Sequence, residues 1–191
     1  MTQAIASTGT SRNGLLSVAA GGILTGLITP LLPQLIDRIG GTPGDFRIAL
    51  VAVPFAVLVF IVVRRASANP MWAALAAAVI TMIAFVAAVN AAIFIDGQIN
   101  GATKLVRNIL AGLAGGFTGA FVMALGIALL PAGPRDPVAW TKMLLTGTLA
   151  GALLALDNAL DLDMTSVLYP VWQACVAVRL AMALRRMTAP A

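Results

Sequence analysis

The chain has 191 residues, of which 60% are hydrophobic and only 10% charged, with 12 Lys or Arg against 7 acids and a net charge of +5. Soluble domains carry about a quarter charged residues, so this composition points to one all-α domain embedded in a membrane. With neither histidine nor glutamate present, a Ser-His-Asp triad, a His/Cys/Glu metal site and a paired-glutamate glycosidase site all lack parts. No enzyme, cofactor or metal centre is therefore expected. The cations stand singly or in pairs at segment ends, as topology signals do, so nucleic acid is not an expected partner.

Residues 1–13, MTQAIASTGTSRN, are small and polar and read as a flexible tail. The membrane domain then covers residues 14–187, with a short C-terminal tail at 188–191. Its first span, about 15–36, carries the small-xxx-small pair Gly22/Gly26 and ends among Pro30 and Pro33, where a kink or early stop is expected. Gly40, Gly41, Pro43 and Gly44 make a turn, and Asp45 is placed to cap the second span, 46–63. Pro54 near the middle of that span predicts a bend. Span three, 71–95, is rich in alanine and carries Asn90 in its last third.

After a polar link from Asp96 to Lys104 comes the uncharged run Ile109 to Leu130, holding Gly112, Gly115, Gly116, Gly119 and Gly126. In water each glycine would weaken a helix by roughly 1 kcal/mol. In lipid the backbone has almost no alternative to helix, and Gly112/Gly116 and Gly115/Gly119 become faces on which another backbone can come close. Span four, 109–130, is thus the expected centre of a bundle. The breaker PAGPRDP leads to span five, 138–160, with the further pair Gly147/Gly151. Span six, 164–184, contains Gln173 and Arg179. The lone Cys175 reads as a small apolar residue.

Six spans put both termini on one side, with Arg12, Arg64, Arg65, Arg135, Lys142, Arg179, Arg185 and Arg186 against Asp136. The other side has Arg38, Arg47, Lys104 and Arg107. The excess of cations places both termini in the cytoplasm, and a bacterial inner membrane is the expected location. Ala20 to Gly26 (AGGILTG) reads like Ala114 to Gly119 (AGGFTG). Three spans per half would relate the halves as a 3+3 inverted repeat.

Few polar groups lie within the apolar segments. Asp157 and Asp161, four apart, would share a helix face at about 6 Å, with Asn158 and Asp163 beside them. Oxygen groups of this kind suit a cation mouth, or simply a solvated loop in which Asp163 caps span six. Only a short apolar stretch separates Lys142 from Asp157, which draws one of these charges towards the membrane. Asn90 could reach the depth of Asp157 and Asn158, and Gln173 near mid-span could bond a neighbouring backbone or a solute. Trp72, Trp140 and Tyr169 fall at expected interfaces and Trp172 a little deeper, as aromatic anchors do.

Two functions fit these features. One is a small transporter or channel for an ion or solute, with its path near the glycine faces of spans one, four and five and with Asp157, Asn158, Asp161, Asn90 and Gln173 as path residues. The other is a non-transporting subunit or scaffold working through helix contacts, as a homo-oligomer or with partner proteins. In size and topology the layout resembles the vitamin-binding subunits of energy-coupling-factor importers. That resemblance implies a roomy outer pocket and a cytoplasmic ATPase partner.

Overall fold

A computed structural model describes residues 2–39, 44–162 and 165–186, and among these the regular structure is helical throughout. Helix α1 (Thr2–Ile28) runs through one 3₁₀ turn, Thr29–Leu31, into α2 (Leu32–Ile39). Pro30 and Pro33 therefore tighten the helix without stopping it. Pro30 sits inside the 3₁₀ turn and Pro33 in the first turn of α2, where a missing N–H costs least. At the other end α1 reaches back to Thr2, so the stretch expected as a tail is helical backbone. Once a helix is nucleated, each added residue gains a bond at little further cost.

Helices α3 (Gly44–Val51) and α4 (Val53–Ala66) meet at 53°, with Pro54 in the first turn of α4. The bend expected from Pro54 is there. Asp45 lies inside the first turn of α3. Two long helices follow, α5 (Met71–Gln98) and α6 (Lys104–Ala128), then α7 (Pro137–Gly151), the short α8 (Leu154–Ala159) and α9 (Leu168–Arg186). Asp136 caps α7, its carboxylate accepting from Val138 N–H at 2.9 Å.

Four helical segments are long and apolar enough to cross a membrane: 12–39, 71–98, 104–128 and 137–159. The bent pair α3–α4 makes a fifth when it is taken as one broken span. The sixth expected span is not among them. Its helix starts at Leu168 and carries Tyr169, Pro170, Gln173 and Arg179, which lower its apolarity. The reason it tolerates them is position, because α9 packs on α1, α4 and α7. Val176, Ala177, Leu180, Ala181 and Leu184 are fully buried on it.

Neighbouring helices form a ring, α4–α5–α6–α7–α9, closed by contact between α9 and α4, and α1 lies outside across α9 and α4. Glycines set the spacing of three antiparallel contacts. On α6 and α7, a methyl added at Gly112 or Gly116 would overlap the carbonyl of Gly151 or Gly147. On α1 and α9, the same addition at Gly22 or Gly26 would strike the backbone of Ala174 or Pro170. On α5 and α6, a methyl at Gly115 would lie 2.9 Å from the carbonyl oxygen of Ala88. All eight packing glycines thus meet a helix of the same chain, because in lipid close backbone approach is what maximises van der Waals contact.

The end of the ring near the chain termini is dry. Val59 and Val63 of α4, Ile127 of α6, Met143 of α7 and Leu180 of α9 fill it with no exposed surface, and Phe55 and Met123 form its boundary with the other end. Two connections at that end are tied together. Asn69, buried between α4 and α5, accepts from Ala132 N–H at 2.9 Å, while its Nδ2 donates to Ser67 Oγ at 2.9 Å. Trp140 Nε1 donates to Pro134 O at 2.8 Å in the same region.

Candidate binding cavity

The opposite end of the ring is hollow. A cavity of about 670 Å³ opens between α5, α6, α8 and α9, near the α5–α6 link. Along α5 its wall runs from Asp96 down through Ala92, Val89, Ala88 and Phe85 to Thr81, a length of about 22 Å at 1.5 Å per residue. Alanines and glycines leave this space because they carry almost no side chain. Gly112, Gly115 and Gly116 of α6 face the same hollow, so the tight seams also leave its walls thin.

Four aromatic rings line it in two pairs. Phe85 and Tyr169 lie 5.9 Å apart with planes tilted by 30°, and Phe55 meets Trp172 edge-on at 5.8 Å and 65°. Tyr169 and Trp172 reach the hollow together because they are three apart on α9. The Tyr169 hydroxyl finds no partner among the described residues. Trp172 Nε1 also lacks one, but it is turned to the α7 contact, where a methyl on Gly147 would lie 3.5 Å away.

The rim is polar. Arg107 grips Asp96 with two parallel bonds, Nε to Oδ1 at 3.0 Å and Nη2 to Oδ2 at 2.6 Å. Lys104, Asn108 and Asn158 complete it. With Asp96 neutralised by Arg107, the rim keeps one net positive charge on Lys104.

A second hollow, about 290 Å³, adjoins the first and shares Leu154, Asn158 and Tyr169 with it. Pro30 and Pro33 bound it on one side, Asp157, Asp161 and Ser166 on the other. Here the acidic group expected at a cation mouth has other tasks. Asp157 accepts from Ser166 Oγ at 2.5 Å and from Val167 N–H at 2.8 Å, so its two oxygens hold the entry to α9. Asp163 lies outside the described residues. Asp161 does not share a helix face with Asp157, because α8 ends at Ala159 and Asp161 takes a left-handed φ of 54°. Leu162 N–H then donates to Asp157 O at 3.1 Å, a left-handed helix stop that aspartate tolerates better than most residues.

The remaining expected residues do not converge. Asn158 lines both hollows while its Nδ2 donates to Leu154 O at 3.0 Å. Asn90 is exposed on α5 and donates to Asp45 at 3.1 Å and to Val86 O at 3.0 Å, away from Asp157 and Asn158. Gln173 is fully buried and ties α9 to the 3₁₀ turn, its Nε2 donating to Thr29 Oγ1 at 2.9 Å. Among the described residues no three Asp, Glu, His or Cys side chains gather as a metal site would require. The chain matches no family model, no curated protein and no solved structure.

Four features of the hollow escaped sequence reading: Phe55, Phe85, the Tyr169–Trp172 face and the Asp96–Arg107 pair. The i, i+3 spacing of Tyr169 and Trp172 was the one signal available, and it fits an interfacial anchor equally well.

Proposed function

We propose that this protein is a six-span membrane protein that binds a small solute in the ring of α4 to α9, as part of moving it across the membrane. The observation that carries this is the cavity itself, some 670 Å³ with a largely apolar, aromatic interior and its charged groups at the mouth. Pockets of about 300–1,000 Å³ with this lining are what small-molecule sites look like. Counting cations favours cytoplasmic termini and a mouth on the outer side, and a bacterial inner membrane is the location we propose. The six spans then include α9 as an enclosed helix, and its contact with α1 mirrors that of α5 with α6, as an inverted repeat requires.

The one-ended shape favours a particular form of this function. Below Thr81 and Met123 the ring is filled by side chains with no exposed surface, so no open pore for ions follows from the structure. A substrate-binding subunit of a multi-component importer, docking a partner at the terminal end, accounts for a mouth on one side and a dry core on the other. The glycine faces are occupied within the chain and offer nothing to a homo-oligomer.

Flux measured in liposomes with monovalent and divalent cations and a neutral solute separates these forms. Tight liposomes containing folded protein, together with copurification of an ATPase module from native membranes, support the importer subunit. Cation flux lost in an Asp157→Asn/Asp161→Asn double variant, at unchanged stability, would instead return the path to the acidic end of α8.

A further inference from the structure

Resting on the solute-binding reading above, we infer that the cavity accepts a small molecule with a flat, largely apolar body and a single negatively charged head. The head sits at the rim between Lys104 and Arg107, and the body extends inward from it towards the rings of Phe85, Tyr169, Phe55 and Trp172. Two observations carry this assignment, one for each end of the ligand.

At the rim the charges do not cancel. Asp96 spends both oxygens on Arg107, at 3.0 Å and 2.6 Å. Lys104 is exposed and takes no ion-pair partner among the described residues. Arg107 uses only Nε and Nη2 on Asp96, which leaves Nη1 available, and a guanidinium can hold a second carboxylate by further N–H groups. The Arg107 and Asp96 side chains keep 32% and 39% of their surface exposed. A pair so open to water contributes little by itself, so an arriving carboxylate can compete with Asp96 at small cost. A cationic head at this rim would meet Lys104 and Arg107, while Asp96, the one acid among the described residues lining the cavity, is already bound to Arg107.

Inside, the two ring pairs face a space otherwise lined by alanines and glycines and by the aliphatic side chains of Val89, Ile93, Leu154 and Leu168, with Thr81 and Met123 at its inner end. Aromatic rings favour another ring in an offset or edge-on arrangement by about 0.5–1.5 kcal/mol beyond area burial. The Tyr169 hydroxyl, without a partner among the described residues, supplies one polar contact part-way down. A flexible chain would fill the volume but gain nothing from ring geometry.

The test uses the full-length protein in nanodiscs and equilibrium dialysis with four probes: 2-naphthoate, its neutral amide 2-naphthamide, the cation 2-naphthylmethylammonium and the chain-shaped anion decanoate. The expected order is naphthoate first, at least tenfold tighter than the amide, with the cation and decanoate weaker still. Arg107→Gln/Asp96→Asn, which removes the pair together, is expected to cut naphthoate affinity at least fivefold and leave the amide unchanged. Asp96→Asn alone frees the guanidinium and is expected to tighten naphthoate several-fold, an effect that loss of a merely structural pair would not produce. Equal binding of naphthoate and amide, or a preference unmoved by these variants, overturns the charged-head assignment while leaving the cavity a binding site. Decanoate binding as tightly as naphthoate overturns the flat body. If none of the four binds protein that unfolds cooperatively, the solute-binding reading itself fails.

Discussion

Asp157 accepts the hydroxyl of Ser166 at 2.5 Å, joining α8 to the end of the α8–α9 link just ahead of α9. The same carboxylate receives Val167 N–H, so one acid satisfies donors at the start of α9 that would otherwise be unpaired. Asp157→Ala is expected to lower stability by about 1–2 kcal/mol, the usual loss for a helix-start cap. Thermal unfolding in detergent measures this, and Asp161→Ala beside it separates a cap from a general loss of acidity. Among the described residues Asp161 makes no such bond, and alanine at its left-handed φ should cost about 1 kcal/mol for backbone reasons alone.

The seam between α6 and α7 leaves no room for a side chain. Gly116→Leu drives a branched side chain against the Gly147 carbonyl, and Gly147→Leu drives one against the Ala120 methyl and the Gly116 carbonyl. Both are expected to abolish monodisperse protein in size-exclusion chromatography after detergent extraction. Gly97→Ala and Gly101→Ala are the controls, because nothing lies within 4 Å of a methyl at either position. Those two should match the parent protein within about 0.5 kcal/mol.

Gln173 illustrates a polar group whose burial carries little energy. Its amide donates to Thr29, but its Oε1 has no partner, so one bond is gained and one acceptor goes unanswered. Interhelical side-chain bonds in membranes average about 0.6 kcal/mol. Gln173→Leu should therefore change unfolding stability by less than about 1 kcal/mol, and it should leave probe binding in the cavity unaltered. A large loss of binding with intact folding would make Gln173 a solute contact.

The cavity can also be filled deliberately. Val89 lines it midway along α5, and Val89→Trp places a large ring in the hollow. Loss of naphthoate binding with unfolding stability within about 1–2 kcal/mol of the parent is the expected outcome, since an open space accepts volume more easily than a packed core does. Leu180→Ala, in the dry half, should do the reverse and cost about 2–5 kcal/mol while sparing the site.

Much of the architecture was legible because membrane sequences advertise it. Apolar length marks α5 and α6, Pro54 marks the bend between α3 and α4, and the four-residue glycine spacing marks the close seams. What could not be read follows from contacts between distant parts of the chain. α9 owes its burial to α1, α4 and α7, so its hydropathy understates how enclosed it is. The face shared by Asp157 and Asp161 vanished because α8 stops at Ala159 with neither glycine nor proline to announce it. The hollow is formed by rings from α4, α5 and α9 over small residues of α6, a juxtaposition that no single helix period encodes.

The most direct measurement is the reactivity of Ala92→Cys, in a Cys175→Ser background, towards a small membrane-impermeant methanethiosulfonate in oriented vesicles. Val59→Cys, in the dry half of the ring, runs beside it. A solute site open at the α5–α6 end predicts fast reaction of Ala92→Cys only from the side opposite the termini, slowed by naphthoate, with Val59→Cys inert from both sides. Ala92→Cys as inert as Val59→Cys, or reactive only from the terminal side, would contradict it.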